Sequence, residues 1–134
     1  MRRYVDTSVA LHAILPGGDE RATAWFDSAC AAGDELFSSA LLELELVRAL
    51  RRERLDLGIR RAVLDRVDVV SLDDGVLRAA GAFEPHVKAL DAIHLATCRL
   101  LGPGLTVVTH DATMVRVARA LGFDVLDPMF AIRG

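Results

Sequence analysis

The chain has 134 residues, 52% of them apolar, a mean hydropathy of +0.31 and a net charge of −3 at pH 7. That length buries a substantial core in a single domain spanning 1–134, and no apolar run approaches the roughly 20 residues a membrane span needs. The acidic balance argues against binding nucleic acid through bulk charge, while Cys30 and Cys98 match no metal spacing and Met1-Arg2-Arg3 opens no signal peptide, so a cytoplasmic protein is expected.

Tyr4 and Val5 are strand formers, and Thr7 and Ser8 can cap a helix from Val9 toward Ile14. Asp6 then falls where a strand ends and a helix begins, the edge at which open α/β sheets bind ligands. Pro16-Gly17-Gly18-Asp19 is a turn. Ala22, Trp25, Phe26, Ala29 and Cys30 recur at helical spacing between Glu20 and Ala32. Glu35 to Ser38 reads as a short strand, and Ser38 or Ser39 caps a helix from Ala40 to about Arg54.

Leu57 to Val67 is a further helix with outward arginines, and Val67 to Leu72 a strand. Asp73-Asp74-Gly75 opens a helix through Gly81. Phe83 to His86 is a loop, and Leu90 to Leu101 a strongly apolar helix ended by Gly102-Pro103-Gly104. Leu105 to Thr109 shows no polar alternation and reads as a buried strand. Asp111 caps a helix from Ala112 to Leu121, and Phe123 to Leu126 is a last strand. Strands alternating with helices predict a three-layer α/β/α fold around a mostly parallel sheet of about four to five strands.

Four acids stand among apolar neighbours or at strand ends. Asp6 and Asp111 follow strands, and either could be only a turn or cap residue. Glu45 lies in Leu41-Leu42-Glu43-Leu44-Glu45-Leu46-Val47, two positions from Glu43 and so roughly 200° around the helix from it. Arg48 shares the face of Glu45, whereas Glu43 sits nearer the solvent stripe of Arg51 and Arg54; Glu45 is the one expected inside. Asp91 begins an almost wholly apolar helix, as an N-cap or as a charge turned to a cleft. His94 shares its face and reads as a packing histidine. Ionised carboxylates brought together in a low-dielectric cleft repel, a cost proteins accept mainly to hold a hard divalent cation such as magnesium.

Tyr4-Val5-Asp6-Thr7-Ser8, Ser38-Ser39-Ala40-Leu41 with Glu45-Leu46-Val47-Arg48-Ala49-Leu50, Leu90-Asp91-Ala92-Ile93-His94-Leu95-Ala96 and Val108-Thr109-His110-Asp111 together resemble the PIN domain. The resemblance is specifically to VapC-type ribonuclease toxins of bacterial toxin–antitoxin pairs. It runs over essentially the whole chain, and its glutamate followed three residues on by arginine again selects Glu45.

What the resemblance implies is endonucleolytic cleavage of RNA with Mg²⁺, for which Mn²⁺ can substitute. Asp6, Glu45, Asp91 and Asp111 would be the catalytic acids and hold the metal, directly or through water. Thr7, Ser8 and Thr109 would fix the carboxylates. The acidic balance provides no general RNA-binding charge, so RNA affinity is expected to rest on the metal and on local arginines such as Arg48, Arg51 and Arg52. A cognate VapB-type antitoxin is the implied partner. A homodimer is expected as well, its apolar surface on the helix pair from Ala40 to Val67 and the helix from Glu20. Two rival readings remain: a non-catalytic PIN-like module binding RNA or protein, and a receiver-like phosphoacceptor domain. The latter wants paired acids after the first strand and a lysine after a late one, whereas only Asp6 and Lys88 are available. A haloacid-dehalogenase phosphatase needs a second aspartate where Ser8 stands.

Overall fold

Tyr4 and Val5 are both fully buried, although adjacent side chains of a strand point to opposite faces. The strand that carries them must therefore be covered on both sides. The computed structural model, which describes residues 1–130, shows how. In chain order the elements are β1 (Arg2–Val5), α1 (Thr7–Ile14), α2 (Glu20–Ala31), β2 (Glu35–Ser39), α3 (Ala40–Arg52), a 3₁₀ turn (Leu57–Arg60) running into α4 (Arg61–Leu64), β3 (Asp68–Val70), α5 (Asp74–Gly81), α6 (Ala89–Leu101), β4 (Leu105–Val108), α7 (Ala112–Ala120) and β5 (Asp124–Leu126).

The strands form one parallel sheet in the order β3-β2-β1-β4-β5. Val5 and Val108 face one core with Val9, Ala10 and Ile14 of α1, Ala22, Phe26 and Ala29 of α2 and Leu42, Leu46 and Leu50 of α3. Tyr4 and Val107 face a second core with Leu95 and Cys98 of α6 and Met114, Val117 and Ala118 of α7. The chain winds outward from β1 toward β3, then crosses back to β4 and winds outward to β5. The gap between the ends of β1 and β4 is thus the topological switch point, where a doubly wound sheet opens a crevice.

Four local readings are corrected. The first helix starts at Thr7, with Asp6 as its N-cap, so Thr7 and Ser8 lie inside it. Leu57 to Val67 is not one helix. Gly58, a poor helix former, sits in the 3₁₀ turn, its N–H taken by Asp56 Oδ1 at 2.7 Å, and Val67 goes into the core. The third strand is only Asp68–Val70, because β2 ends at Ser39, opposite Val70, and an edge strand has no other neighbour. Finally, Leu55, Leu57, Ile59 and Leu64 pack inward, so the helix pair keeps Leu44 as its large exposed apolar side chain, and others lie at Val69, Leu72, Leu77, Leu90 and Leu100. Among the described residues no helix is long and apolar enough to cross a membrane.

α3 stops where Arg54 turns left-handed, at φ 56°. The N–H of Leu55 returns to Leu50 O at 2.9 Å and that of Arg54 to Arg51 O at 3.1 Å, the paired bonds of a Schellman close. Glycine fills that conformation without the steric penalty a side chain brings, though it loses more entropy on folding. Arg54→Gly is expected to stabilise the fold by up to about 1 kcal/mol and Arg54→Ala by nothing, as read from urea unfolding midpoints.

Candidate active site

The switch point is built from hydroxyls aimed at carboxylates. Asp6 is 4% exposed, and its N–H donates to Val108 O at 2.9 Å, fastening the end of β1 to the end of β4. Its side chain makes no cap bond to α1. Oδ2 instead accepts from Ser8 Oγ at 2.7 Å and from Thr109 Oγ1 at 2.8 Å. Those hydroxyls are set from behind: His110 N–H donates to Ser8 Oγ at 2.9 Å and Asp111 N–H to Thr109 Oγ1 at 3.1 Å. Glu45 reaches the same crevice from α3, its Oε1 accepting from Thr7 Oγ1 at 2.7 Å and lying 2.8 Å from His94 Nε2.

Asp91 is not an N-cap. Lys88 holds that position, and Asp91 sits in the first turn of α6, half-buried, with no donor to its carboxyl among the described residues. Asp111 does cap α7, Oδ1 accepting from Met114 N–H at 3.0 Å, and its other oxygen takes no such bond. Asp73 likewise caps α5, through Val76 N–H at 3.0 Å, and takes no part in the crevice. Glu43 is exposed and pairs with Arg60 at 3.7 Å, away from Glu45.

Arg48 is exposed one helical turn from Glu45, but Arg51 and Arg52 lie in the last turn of α3, roughly 10 Å along the axis. The structure does not gather these arginines into one patch with the acids. His94 and Tyr4 are the functional candidates that sequence reasoning passed over. His94 is 1% exposed and lies 3.8 Å from Asp6 Oδ1 as well as against Glu45. The signal was available in spacing: Tyr4 is two positions from Asp6 on a strand, and His94 three from Asp91 on a helix, so each shares its acid's face.

A family model described as the PIN domain matches residues 3–120. The chain belongs to the PIN-domain family. This PIN chain is 34% identical over 131 residues to ribonuclease VapC35 of Mycobacterium tuberculosis, an alignment covering 93% of it and 96% of the relative. With ribonuclease VapC46 of the same species it shares 41% over 95 residues, 68% of this chain and 72% of that one. In fold it is similar to a chain of a toxin–antitoxin complex from Klebsiella pneumoniae, with a TM-score of 0.68 at 19% identity over 94% of this chain and 97% of that one.

Electrostatics separate the acids of the crevice. Burial pushes the Asp91 carboxyl above its ordinary range, and the charges of Asp6, Asp111 and Glu45 push it further. Burial also raises Glu45, but the bonds from His94 and Thr7 outweigh it and the net shift is downward. Among the described residues no three His, Cys, Asp or Glu side chains stand close enough to clasp a metal between them. The donor chemistry nonetheless fits an oxygen-seeking divalent ion, since magnesium uses one or two carboxylates and keeps several waters.

The opposite shifts give opposite pH dependences. A raised folded pKa means the native state holds more protons than the unfolded chain, so the stability linked to Asp91 is lost as pH rises through that interval. The lowered Glu45 pKa gives stability that is present at higher pH and lost as pH falls through the folded value. In EDTA, the melting temperature of Asp91→Asn relative to wild type should therefore climb from acid to neutral pH, and that of Glu45→Gln should drop. Parallel shifts for the two variants would contradict this assignment.

Proposed function

We propose that this PIN chain is a metal-dependent endoribonuclease, the toxin of a toxin–antitoxin pair. The observation that carries the reading is a charge imbalance. The Asp91 carboxyl feels Asp6, Asp111 and Glu45 with only His94 opposing them, while no arginine or lysine among the described residues pairs with any of the four. Relatives named as ribonucleases, at 34% and 41% identity, give the same direction.

In this reading Asp6, Glu45, Asp91 and Asp111 hold a divalent cation, Mg²⁺ or Mn²⁺, directly or through water. Such an ion, when bound, lowers the pKa of a ligated water and neutralises charge on the phosphate under attack. Ser8 and Thr109 keep Asp6 in one rotamer by occupying Oδ2, and Thr7 does the same for Glu45 through Oε1. Asp111 is steadied by its cap bond. Arg48, one turn from Glu45, meets the phosphate backbone, with Arg51 and Arg52 reaching nucleotides farther along.

The partners follow from the same reading: RNA, a VapB-type antitoxin and a second copy of the chain, in the cytoplasm where RNA is found. The groove between α5 and α6, about 490 Å³ and lined by Leu77, Phe83, Val87 and Ile93 beside Asp91, suits an apolar antitoxin segment. The purified chain should cut structured RNA with Mg²⁺ or Mn²⁺ and stop in EDTA. Glu45→Gln should lose at least about a hundredfold in rate, matching several kcal/mol of lost charge stabilisation, and Glu43→Gln should retain most activity. A dead Glu43→Gln beside an active Glu45→Gln would overturn the site.

A further inference from the structure

Behind the carboxylates runs a buried chain that the proposed chemistry does not use. Tyr4 OH lies 2.6 Å from His94 Nδ1, and His94 Nε2 lies 2.8 Å from Glu45 Oε1. Tyr4 is 0% and His94 1% exposed, so the Tyr4–His94 junction is closed to water, while the Glu45 side chain beyond it is 26% exposed to the crevice. The rings meet edge to face, 5.8 Å apart at 71°.

With His94 as a neutral imidazole, the hydrogens in this chain have one arrangement. An ionised carboxylate only accepts, so Nε2 must carry the hydrogen that faces Glu45. Nδ1 then offers a lone pair, and Tyr4 is the donor that fills it. The neighbouring hydroxyls of Ser38 and Thr97 send their own protons to Val5 O at 2.7 Å and Ile93 O at 2.9 Å. The Tyr4 phenol is fully buried, with His94 Nδ1 at 2.6 Å to receive its hydrogen. No buried side-chain polar atom among the described residues is left without a partner.

We propose that Tyr4 and His94 are positioning residues: the Tyr4 O–H fixes the His94 tautomer, and the fixed Nε2–H pins Glu45 Oε1 so that Oε2 serves the divalent cation. This deepens the metal-site reading above and rests on it. Without the phenol, hydrogen moves to Nδ1 or Nδ1 stays buried and unpaired. The first puts a lone pair against a carboxylate, and the second loosens the ring; either leaves Glu45 Oε1 to the Thr7 hydroxyl alone.

The test uses the full chain labelled with ¹⁵N-histidine. Long-range ¹H–¹⁵N spectra, with the His94 signals assigned by their absence in His94→Gln, report which ring nitrogen bears hydrogen. Mn²⁺ titration by calorimetry reports the site. We expect Nε2–H in the wild type and an altered spectrum in Tyr4→Phe, with Mn²⁺ affinity lowered about tenfold, the scale on which partners of ligands act. His94→Leu should lose as much as Tyr4→Phe, and His94→Gln, whose amide can still donate to Glu45, less. Hydrogen on Nδ1 in the wild type would overturn the relay. So would wild-type Mn²⁺ affinity in Tyr4→Phe when Asp91→Asn has lost it. If Asp91→Asn binds Mn²⁺ as well as the wild type, the metal-site reading fails and the spectra alone decide the relay. A His94 ring spectrum altered in Tyr4→Phe, by transfer of hydrogen to Nδ1 or by loss of the hydrogen bond to Nδ1, then supports it, and one unchanged from the wild type overturns it.

Discussion

Like charge gathered at one end of a parallel sheet is the constraint on which the structure turns. A buried carboxylate must be compensated, and Asp6, at 4% exposure, is compensated by the Ser8 and Thr109 hydroxyls instead of by a cation. Hydrogen bonds from neutral donors satisfy an oxygen without cancelling its charge. The crevice therefore remains negative, a condition favourable to a divalent ion and unfavourable to the bare fold.

The main chain meets this constraint through its winding. β1 and β4 are neighbours although more than a hundred residues separate their ends, and each delivers an acid and a hydroxyl to the same edge. α3 and α6 belong to the cores on opposite faces of the sheet, through Leu42, Leu46 and Leu50 in one case and Leu95 and Cys98 in the other. The bond between Glu45 and His94 joins them across the sheet end. The position of Glu45 is thus set by packing on both sides of it, since Leu42 and Leu46 are fully buried and leave the helix no freedom to rotate.

Charge and packing also explain why the two helical glutamates part company. Glu43 faces out and pairs with Arg60 across an exposed gap of 3.7 Å, an interaction of small energetic weight. Glu45, on the other side of the same turn, is held by a hydroxyl and an imidazole. Asp91 is the opposite case. The first turn of a helix is favourable for an acid, yet burial and three neighbouring carboxylates outweigh that benefit.

Alternation of apolar runs with turn residues by itself determined the order of strands and helices, their parallel pairing, and which acids end β1 and β4. The separation of Glu43 from Glu45 was equally local, because it follows from helical pitch alone. Helix and strand ends were less legible. Arg54 closes α3 in a conformation normally left to glycine, and β3 stops because its only neighbour does. Only the tertiary structure decided the partners: Thr7 with Glu45, Thr109 with Asp6, and Tyr4 with His94 are 38, 103 and 90 residues apart. In sequence a hydroxyl beside a helix start is indistinguishable from a cap, and a histidine in an apolar helix from packing. Periodicity reports which face a side chain occupies, and the group it meets there is set by the crossovers that bring distant strands together.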